Sequence, residues 1–505
     1  MAGSTTLPPN EHGRKRSNNR VLKLSDVTLV KKETLKRAIA ATALGNAMEW
    51  FDFGVYAYFA TTIGRVFFPG DNASIQLLAT FGAFAAAFLM RPIGGLVLGP
   101  LGDKIGRQKI LAFTMIMMSV CTFCIGLIPS YNSIGVLAPI LLLILRMIQG
   151  FSTGGEFGGA ATFIAEYSPD RMRGFLGSWL EFGTFIGYIL AAVVVTVLTS
   201  VLSESSLLSW GWRIPFFIAG PIGIVGLYMR MKLEETPAYS NHDDSEEEDD
   251  GRSELVSLVS GHWRPLLLCA GLVLVYMVAD YMLLSYMPTY MTASLHHDAS
   301  HSLYLIILVM VVMMVIQPFM GMASDIWGRR PIIFIGCIGF VILSIPCLWL
   351  IQSTSMIAIF FGLMILGALL NTFTAVMPST LPALFPTAIR YGAVAIGLNI
   401  STSLFGGTTP LVTTWLIDVF GTNMMPAYYL MLSGVIGAAV ILLTAESSGK
   451  PLIGSNPAAM DREEAREVLT DYHDDIESQI KAIDEQMEAL AKERRDLVDQ
   501  HPRID

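Results

Sequence analysis

The sequence predicts an all-α membrane protein: twelve transmembrane helices in two six-helix pseudo-repeats, followed by a C-terminal cytoplasmic coiled-coil helix. Three observations carry that prediction. Of 505 residues, 53% are hydrophobic and only 15% charged, with a mean hydropathy of +0.55, too apolar for a soluble chain of this size. Apolar stretches of about 20 residues, enough to cross about 30 Å of hydrocarbon, recur six times between residues 36 and 231 and six times between 263 and 444. The end of the chain abandons that pattern for a seven-residue repeat.

Each element follows in order. Segment 1–35 is polar and basic ("EHGRKRSNNR") and has neither apolar core nor cleavage site. No signal peptide is therefore expected, and this end stays in the cytoplasm. The first bundle, 36–232, joins its spans through loops that are alternately rich in Lys and Arg ("GDKIGRQK", "DRMRG") and devoid of them ("PSYNSIG", "TSVLSESS"). By the positive-inside rule this sidedness places both termini and the 233–262 linker in the cytoplasm, with only Arg65 dissenting. The linker holds "DDSEEEDD", read as a solvated spacer. The net charge of −9 thus describes the extremities, and no nucleic-acid partner is expected.

The second bundle, 263–445, repeats features of the first. "GDKIGRQK" (Asp103, Gly106, Arg107) returns as "SDIWGRRP" (Asp325, Gly328, Arg329), and "SPDRMRG" (Pro169, Arg173, Gly174) returns as "FPTAIRYG" (Pro386, Arg390, Gly392). Two six-span halves imply an alternating-access transporter with its site at the midplane between them. The five cysteines lie in apolar segments, and the Cys121/Cys124 spacing has no second pair to complete a zinc site. No metal or cofactor is expected. The sequence has no phosphate loop and no nucleophile constellation, which argues against an enzyme and against ATP as the driving force.

Tail 446–505 contains a coiled coil over about 466–500. Leu469, Ile476, Ile483, Leu490 and Leu497 form one seam position; His473, Ile480, Met487 and Arg494 form the other. A seam containing His473 and Arg494 is weaker than an all-apolar one and can be tuned. Arg494 is the expected regulatory residue, and dimerisation of two copies is the plainer use of the coil.

These residues carry a resemblance. The D-x-x-G-R loops and "RMIQGFSTGGEFGG" (146–159) are similar to signatures of the major facilitator superfamily and of its metabolite:proton symporter branch. "GNAMEWFDFGVY", "WGWRIPFFIA", "LEETPA" and the ending "QHPRID" resemble the bacterial osmosensory proline/glycine betaine:proton symporters, from about residue 21 onward. The resemblance implies residence in the bacterial inner membrane and import of zwitterionic osmolytes (proline, glycine betaine, ectoine-like compounds) with protons, activated by high osmolality. It also implies roles for Asn46, Glu49, Phe53 and Tyr56. The lipid bilayer, including its anionic lipid, is a further expected partner. The rivals are a proton symporter for a carboxylic acid such as α-ketoglutarate or shikimate, and a non-transporting membrane sensor.

Seven charged residues fall inside spans: Glu49, Asp52, Arg91, Arg146, Glu156, Glu181 and Asp280. At about 2.5 to 3.5 kcal/mol each, they must face a cavity or one another. With a rise of about 1.5 Å per residue, Glu49, Asp52 and Arg91 lie at central depth. A desolvated carboxylate whose charge is restored by a nearby Arg can bind and release a proton, so Glu49 and Asp52 are the proton-coupling candidates; a pair that only locks helices together is the structural alternative. Arg91 and Arg146 offer planar forks for a carboxylate. Aromatic faces suit a quaternary ammonium, and Trp50, Phe53, Tyr56, Trp179, Tyr281 and Tyr286 are available. Asp103, Arg107, Asp325 and Arg329 are expected to hold an inner gate closed, together with Arg173. Glu156 and Glu181, among glycines, serve either gating or helix packing, and Asp280 lies at the depth of Asp52 in the first span of the second half, with no role assigned to it.

Overall fold

The computed structural model describes residues 23–231 and 261–500 apart from positions 31, 106, 155 and 388; within 99–112 and 222–231 few side chains are described. The acidic run of the linker lies outside the described residues. The first part of the chain folds into α1 (Lys32–Tyr58), α2 (Ala73–Leu89), α3 (Arg91–Ile105), α4 (Arg107–Leu127), α5 (Leu137–Thr153), α6 (Glu156–Tyr167), α7 (Arg173–Val201) and α8 (Ile214–Met231). The second folds into α9 (Trp263–Asp280), continued by a π-helical segment at Tyr281–Tyr286, then α10 (Ala299–Trp327), α11 (Arg329–Ile351), α12 (Met356–Thr374), α13 (Met377–Ala383), α14 (Arg390–Ser401), α15 (Thr409–Phe420) and α16 (Met425–Leu443). The tail forms α17 (Arg462–Gln500).

Among the described residues, eight helical stretches are long and apolar enough to cross a membrane: Ala73–Leu98, Leu137–Tyr167, Asp170–Val201, Trp263–Ser294, Ala299–Trp327, Arg329–Ile351, Met356–Ala383 and Met425–Leu443. Helix α1 is long enough, but Asn46, Glu49 and Asp52 lower its hydropathy. The residues that give it chemistry are those that hide it from a hydropathy scan.

Local signals set several boundaries. Asn72 accepts from the amides of Ser74 and Ile75 to start α2, and Asp298 accepts from His301 N to start α10. Gly328, at φ +96°, makes the reversal between α10 and α11 that a side chain would resist.

Helix α1 packs along α7, α7 along α10, α4 along α8, and α11 along both α12 and α16. The α1–α7 contact is backbone to backbone. A Cβ on Gly183 or Gly187 would stand 2.1 or 2.3 Å from the carbonyl oxygen of Ala43 or Ala47, so only glycine allows this approach. The outside is apolar, with Phe319, Trp327, Ile342 and Leu432 all more than half exposed, while Arg91, Arg146, Glu181 and Asp280 are buried. That inversion is what a hydrocarbon solvent requires. Arg65, the residue that dissents from the positive-inside pattern, is paired with Glu204.

Strand β1 (Thr28–Leu29) pairs in parallel with β2 (Ala458–Ala459), tying the N-terminal segment to the tail. Val27, Ala459 and Ala465 bury a small cluster there, with Leu469 against it. Farther along α17, Ile476, Ile480, Ile483, Met487, Leu490 and Leu497 are exposed. Most of the apolar seam is therefore uncovered in one chain. All five cysteines are free thiols.

Candidate functional site

The central site is built largely from one face of α1. Glu49 forms a salt bridge with Arg91 of α3, and both are almost fully buried. Arg91 also lies over the rings of Phe53 and Phe88, at 5.2 and 4.7 Å from their centroids. Asp52 has a different partner set. Its Oδ2 accepts from Thr122 Oγ1 at 2.6 Å, Thr122 accepts from Gln149 Nε2 at 2.6 Å, and Gln149 Oε1 accepts from Arg146 Nη1 at 3.1 Å. A relay of two neutral side chains thus joins the carboxylate to the guanidinium. Arg146 stacks on Tyr56, with Cζ 3.5 Å from the ring centroid, and its Nε and Nη2 have no acceptor among the described residues.

The rings continue from there. Trp50 meets Phe53, Tyr188 and Tyr281 at centroid distances of 6.1, 5.2 and 5.6 Å, and Tyr281 meets Phe88 at 5.2 Å. Offset and edge-on geometry of this kind is what aromatic quadrupoles favour. Asn46 is occupied internally: it donates to Leu180 O and Thr184 Oγ1 and accepts from Trp50 Nε1, which pins α1 to α7 and orients the indole. A narrow cavity lined by Gly45, Met48, Glu49, Asp52, Met115, Met118 and Glu156 runs beside the two carboxylates. Trp179 stands apart. It packs on Phe175 and Phe182, on the opposite side of α7 from Glu181, and no ring contact links it to Trp50 among the described residues. Tyr286 meets Phe81 and Tyr290, farther along the same segment as Tyr281.

Across the two halves, Tyr58 Oη donates to Leu284 O at 2.8 Å, and Tyr188 and Ser285 share a hydrogen bond of 2.7 Å. These contacts close one side. At the end carrying the basic loops, Asp325 accepts from the amides of Gly174 and Phe175 at 2.7 and 2.8 Å, capping the N-terminus of α7 with a carboxylate. Arg390 donates to Glu166 of α6 at 2.7 Å, a second bond between halves. Arg173 bonds Asp170, Ala165 O and Lys450 O, while Arg329 donates to Ser379 O and Ser447 Oγ. The side chains of Asp103 and Arg107 lie outside the described residues.

The tail joins this end. Asp170 Oδ2 accepts from Ala458 N at 3.0 Å, and Arg171 pairs with Glu467 and Asp471 of α17. Glu446 accepts from the backbone amides of Arg329, Arg330, Ser447 and Ser448. Burial opposes its ionisation, yet those amides prevail and hold its carboxyl below the usual range. Arg494 is exposed near the far end of α17.

Sequence reasoning anticipated Glu49, Asp52, Trp50, Phe53, Tyr56, Arg91, Arg146 and Tyr281, and all eight meet here. It missed Thr122, Gln149, Glu166, Asp170 and Arg171. The last two sit inside the repeated "SPDRMRG" motif and Gln149 inside "RMIQGFSTGGEFGG", signals that could have drawn attention to them; Thr122 carries no charge and gave none.

Comparison with known proteins places the chain among transporters. The family model described as sugar (and other) transporter matches residues 38–253 and 240–459, and that of the osmosensory transporter coiled coil matches 460–505. The chain is 50% identical to the proline/betaine transporter of Escherichia coli (strain K12), over 97% of this chain and 99% of the relative. The same identity and coverage hold for the glycine betaine/proline/ectoine/pipecolic acid transporter OusA of Dickeya dadantii (strain 3937). A putative proline/betaine transporter of Staphylococcus aureus (strain COL) is 44% identical over 88% of this chain and 96% of its own. Among solved structures, the major facilitator superfamily proton:xylose symporter XylE superposes with a TM-score of 0.67 at 18% identity, covering 86% of this chain and 99% of that one. It shares the fold.

Proposed function

Because the chain belongs to the sugar (and other) transporter family, on the major facilitator fold, and is half identical to proline/betaine transporters along nearly its whole length, we propose that it is a proton-coupled symporter of zwitterionic osmolytes. Proline, glycine betaine and ectoine-like compounds enter with protons by alternating access, and high osmolality activates the cycle. In this reading the eight apolar stretches are completed to twelve spans by α1, α4, α8 and the α14–α15 unit, in two six-helix halves. The protein sits in the bacterial inner membrane with both termini in the cytoplasm.

The observation that carries the substrate assignment is Arg146: a buried guanidinium whose Nε and Nη2 have no acceptor among the described residues, standing among aromatic rings at the centre of a bundle closed on both sides. The free donors suit a substrate carboxylate. Arg91 is committed to Glu49, so its part is to hold that carboxylate. A methylated ammonium cannot donate a hydrogen bond, and the faces of Trp50, Tyr188 and Tyr281 supply what it needs. Glu49 and Asp52 bind and release the coupled proton beside this site, with Thr122 and Gln149 connecting Asp52 to Arg146. Opening toward the cytoplasm breaks the Asp325 cap and the Arg390–Glu166 pair.

The tail sets the osmotic threshold. Two copies cover the exposed seam of α17 by forming a dimeric coil, and the Arg171 pairs with Glu467 and Asp471 connect that coil to the gate. Both pairs are solvent-accessible. Rising ionic strength in a dehydrating cell shortens the screening length from about 8 Å at physiological salt and loosens them.

Uptake of radiolabelled proline and betaine into proteoliposomes tests the function, with and without an inward proton gradient and at two osmolalities. Gradient-dependent accumulation that increases with osmolality is expected. Equilibration without accumulation, or uptake of α-ketoglutarate or shikimate instead, would overturn it.

A further inference from the structure

Two buried carboxylates lie outside the arginine-bearing network. Asp280 ends α9, immediately before the π-helical segment, and is 1% exposed, with neither carboxyl oxygen hydrogen-bonded among the described residues. Glu181, on α7, is fully buried; its Oε1 accepts from Tyr276 Oη at 2.7 Å and its Oε2 has no hydrogen-bond partner among the described residues. Tyr276 and Asp280 are four residues apart and share one face of α9. Asp280 therefore stands one turn from the group that bonds Glu181, and the two carboxyls lie within electrostatic reach of each other.

We propose that Asp280 and Glu181 form a second proton site, shared across the two halves, which carries a proton while the bundle is closed and releases it when the halves part. The inference rests on the proton coupling proposed above.

Three arguments support it. The first is the absence of compensation. The groups that face Asp280 are Glu181 from α7, Tyr58 from α1, Tyr188 from α7, and Tyr276 and Tyr281 from its own segment. None is a cation. Glu181 is faced by Tyr276 and Thr184 besides Asp280. Arg91 reaches the cluster only through Tyr281, and it is already bonded to Glu49. Three of the tyrosine hydroxyls are spent elsewhere, Tyr58 on Leu284 O, Tyr188 with Ser285 and Tyr276 on Glu181, and that of Tyr281, unpartnered among the described residues, makes no hydrogen bond to Asp280. A buried carboxylate with neither counter-charge nor donor is held neutral by a proton, and a second carboxylate beside it strengthens that requirement.

The second argument is placement. Glu49 and Arg91 both belong to the first half, as do Asp52, Thr122, Gln149 and Arg146, so a rigid rocking of the halves leaves those partnerships intact. Asp280 and Glu181 come one from each half. Unlike the partnerships of Glu49 and Asp52, theirs is taken apart by alternating access: water enters between α7 and α9, solvates the carboxyls, and the proton departs to it, leaving a carboxylate. The third is local malleability. A π-helical turn of the kind that follows Asp280 is frequent at functional sites.

The test uses the full chain in proteoliposomes with the variants Asp280→Asn and Glu181→Gln. Three quantities are read: radiolabelled proline counterflow, which needs no net proton movement; protons moved per proline, from a trapped pH dye; and the infrared carbonyl band of a protonated buried carboxyl. Wild type should show that band at neutral pH, and Asp280→Asn should lose it, keep counterflow, and move half as many protons per proline or fewer. A variant with the wild-type band and the wild-type proton:proline ratio overturns the proposal. If Asp280→Asn has no counterflow, the band decides alone: its loss supports the site and its retention sinks it. Should wild type itself move no protons with proline, the symport reading fails, while the band still reports whether Asp280 holds a proton.

Discussion

Asp325→Ala should open the basic-loop end of the bundle, and the structure sets the size of the effect. The carboxylate accepts two backbone hydrogen bonds, at 2.7 and 2.8 Å, from the first turn of α7. Hydrogen bonds to a charged group are each worth about 1.5–3 kcal/mol. The two amides regain water once the gate parts, so a net loss of about 2 kcal/mol is the reasonable figure, equivalent to about a thirtyfold shift from closed toward open. Asp325→Asn keeps one acceptor oxygen and should lose about half of that energy, a roughly fivefold shift. Accessibility of a buried reporter measures this population. Ser178 is fully buried where α7 crosses α10, and a Cβ on Gly321 would lie 2.8 Å from its Cβ. In a Ser178→Cys parent, the labelling rate by a membrane-impermeant maleimide in inside-out vesicles should rise in the order parent, Asp325→Asn, Asp325→Ala. Equal rates in all three would refute the assignment of Asp325 as a gate latch.

Glu49→Gln leaves the Arg91 guanidinium buried without its counter-charge, which costs about 3–5 kcal/mol; the melting temperature should fall, and Glu49→Gln/Arg91→Gln should recover much of it, whereas a double variant as unstable as the single would mean the pair is not the cause. Tyr56→Ala removes the ring beneath Arg146 and should weaken substrate by about 0.5–2 kcal/mol, roughly two- to thirtyfold, with betaine affected at least as much as proline in inhibition constants; unchanged constants would move the site elsewhere. Arg171→Gln removes both pairs to α17, each worth about 0.2–1 kcal/mol at the surface, so uptake should begin at a different osmolality with little change in maximal rate. Arg494→Ile should also move that onset, and wild-type activation curves for both variants would detach the tail from the gate. Glu446 has a folded-state pKa below its unfolded value, so its stabilisation is present above the unfolded value of about 4.3 and disappears as pH falls through the folded one. The melting-temperature difference between wild type and Glu446→Gln should therefore be constant near neutrality and vanish only in acid; a difference that grew on acidification would contradict this.

Depth, face and periodicity are local properties, and the sequence by itself determined what depends on them. The rise per residue put Glu49, Asp52 and Arg91 at one level. Helical spacing put Asn46, Glu49, Phe53 and Tyr56 on one face, and the heptads announced α17, which indeed runs unbroken from Arg462 to Gln500. Partnership is another matter. Two arginines and several carboxylates at similar depth admit many pairings, and only the rotation and crossing of the helices decided that Arg91 bonds Glu49 while Arg146 reaches Asp52 through Gln149 and Thr122. The same holds for Asn46, whose amide is spent on α7, and for Trp179, turned to the other side of that helix. Arg171 sits almost three hundred positions from Glu467, so nothing in the chain's local chemistry linked gate to tail. Asp280 and Glu181 gain their meaning solely from standing on opposite halves: burial without a cation is a property of the packed bundle, because any cation that could reach them must come from another helix, and Arg91 is bonded to Glu49 instead.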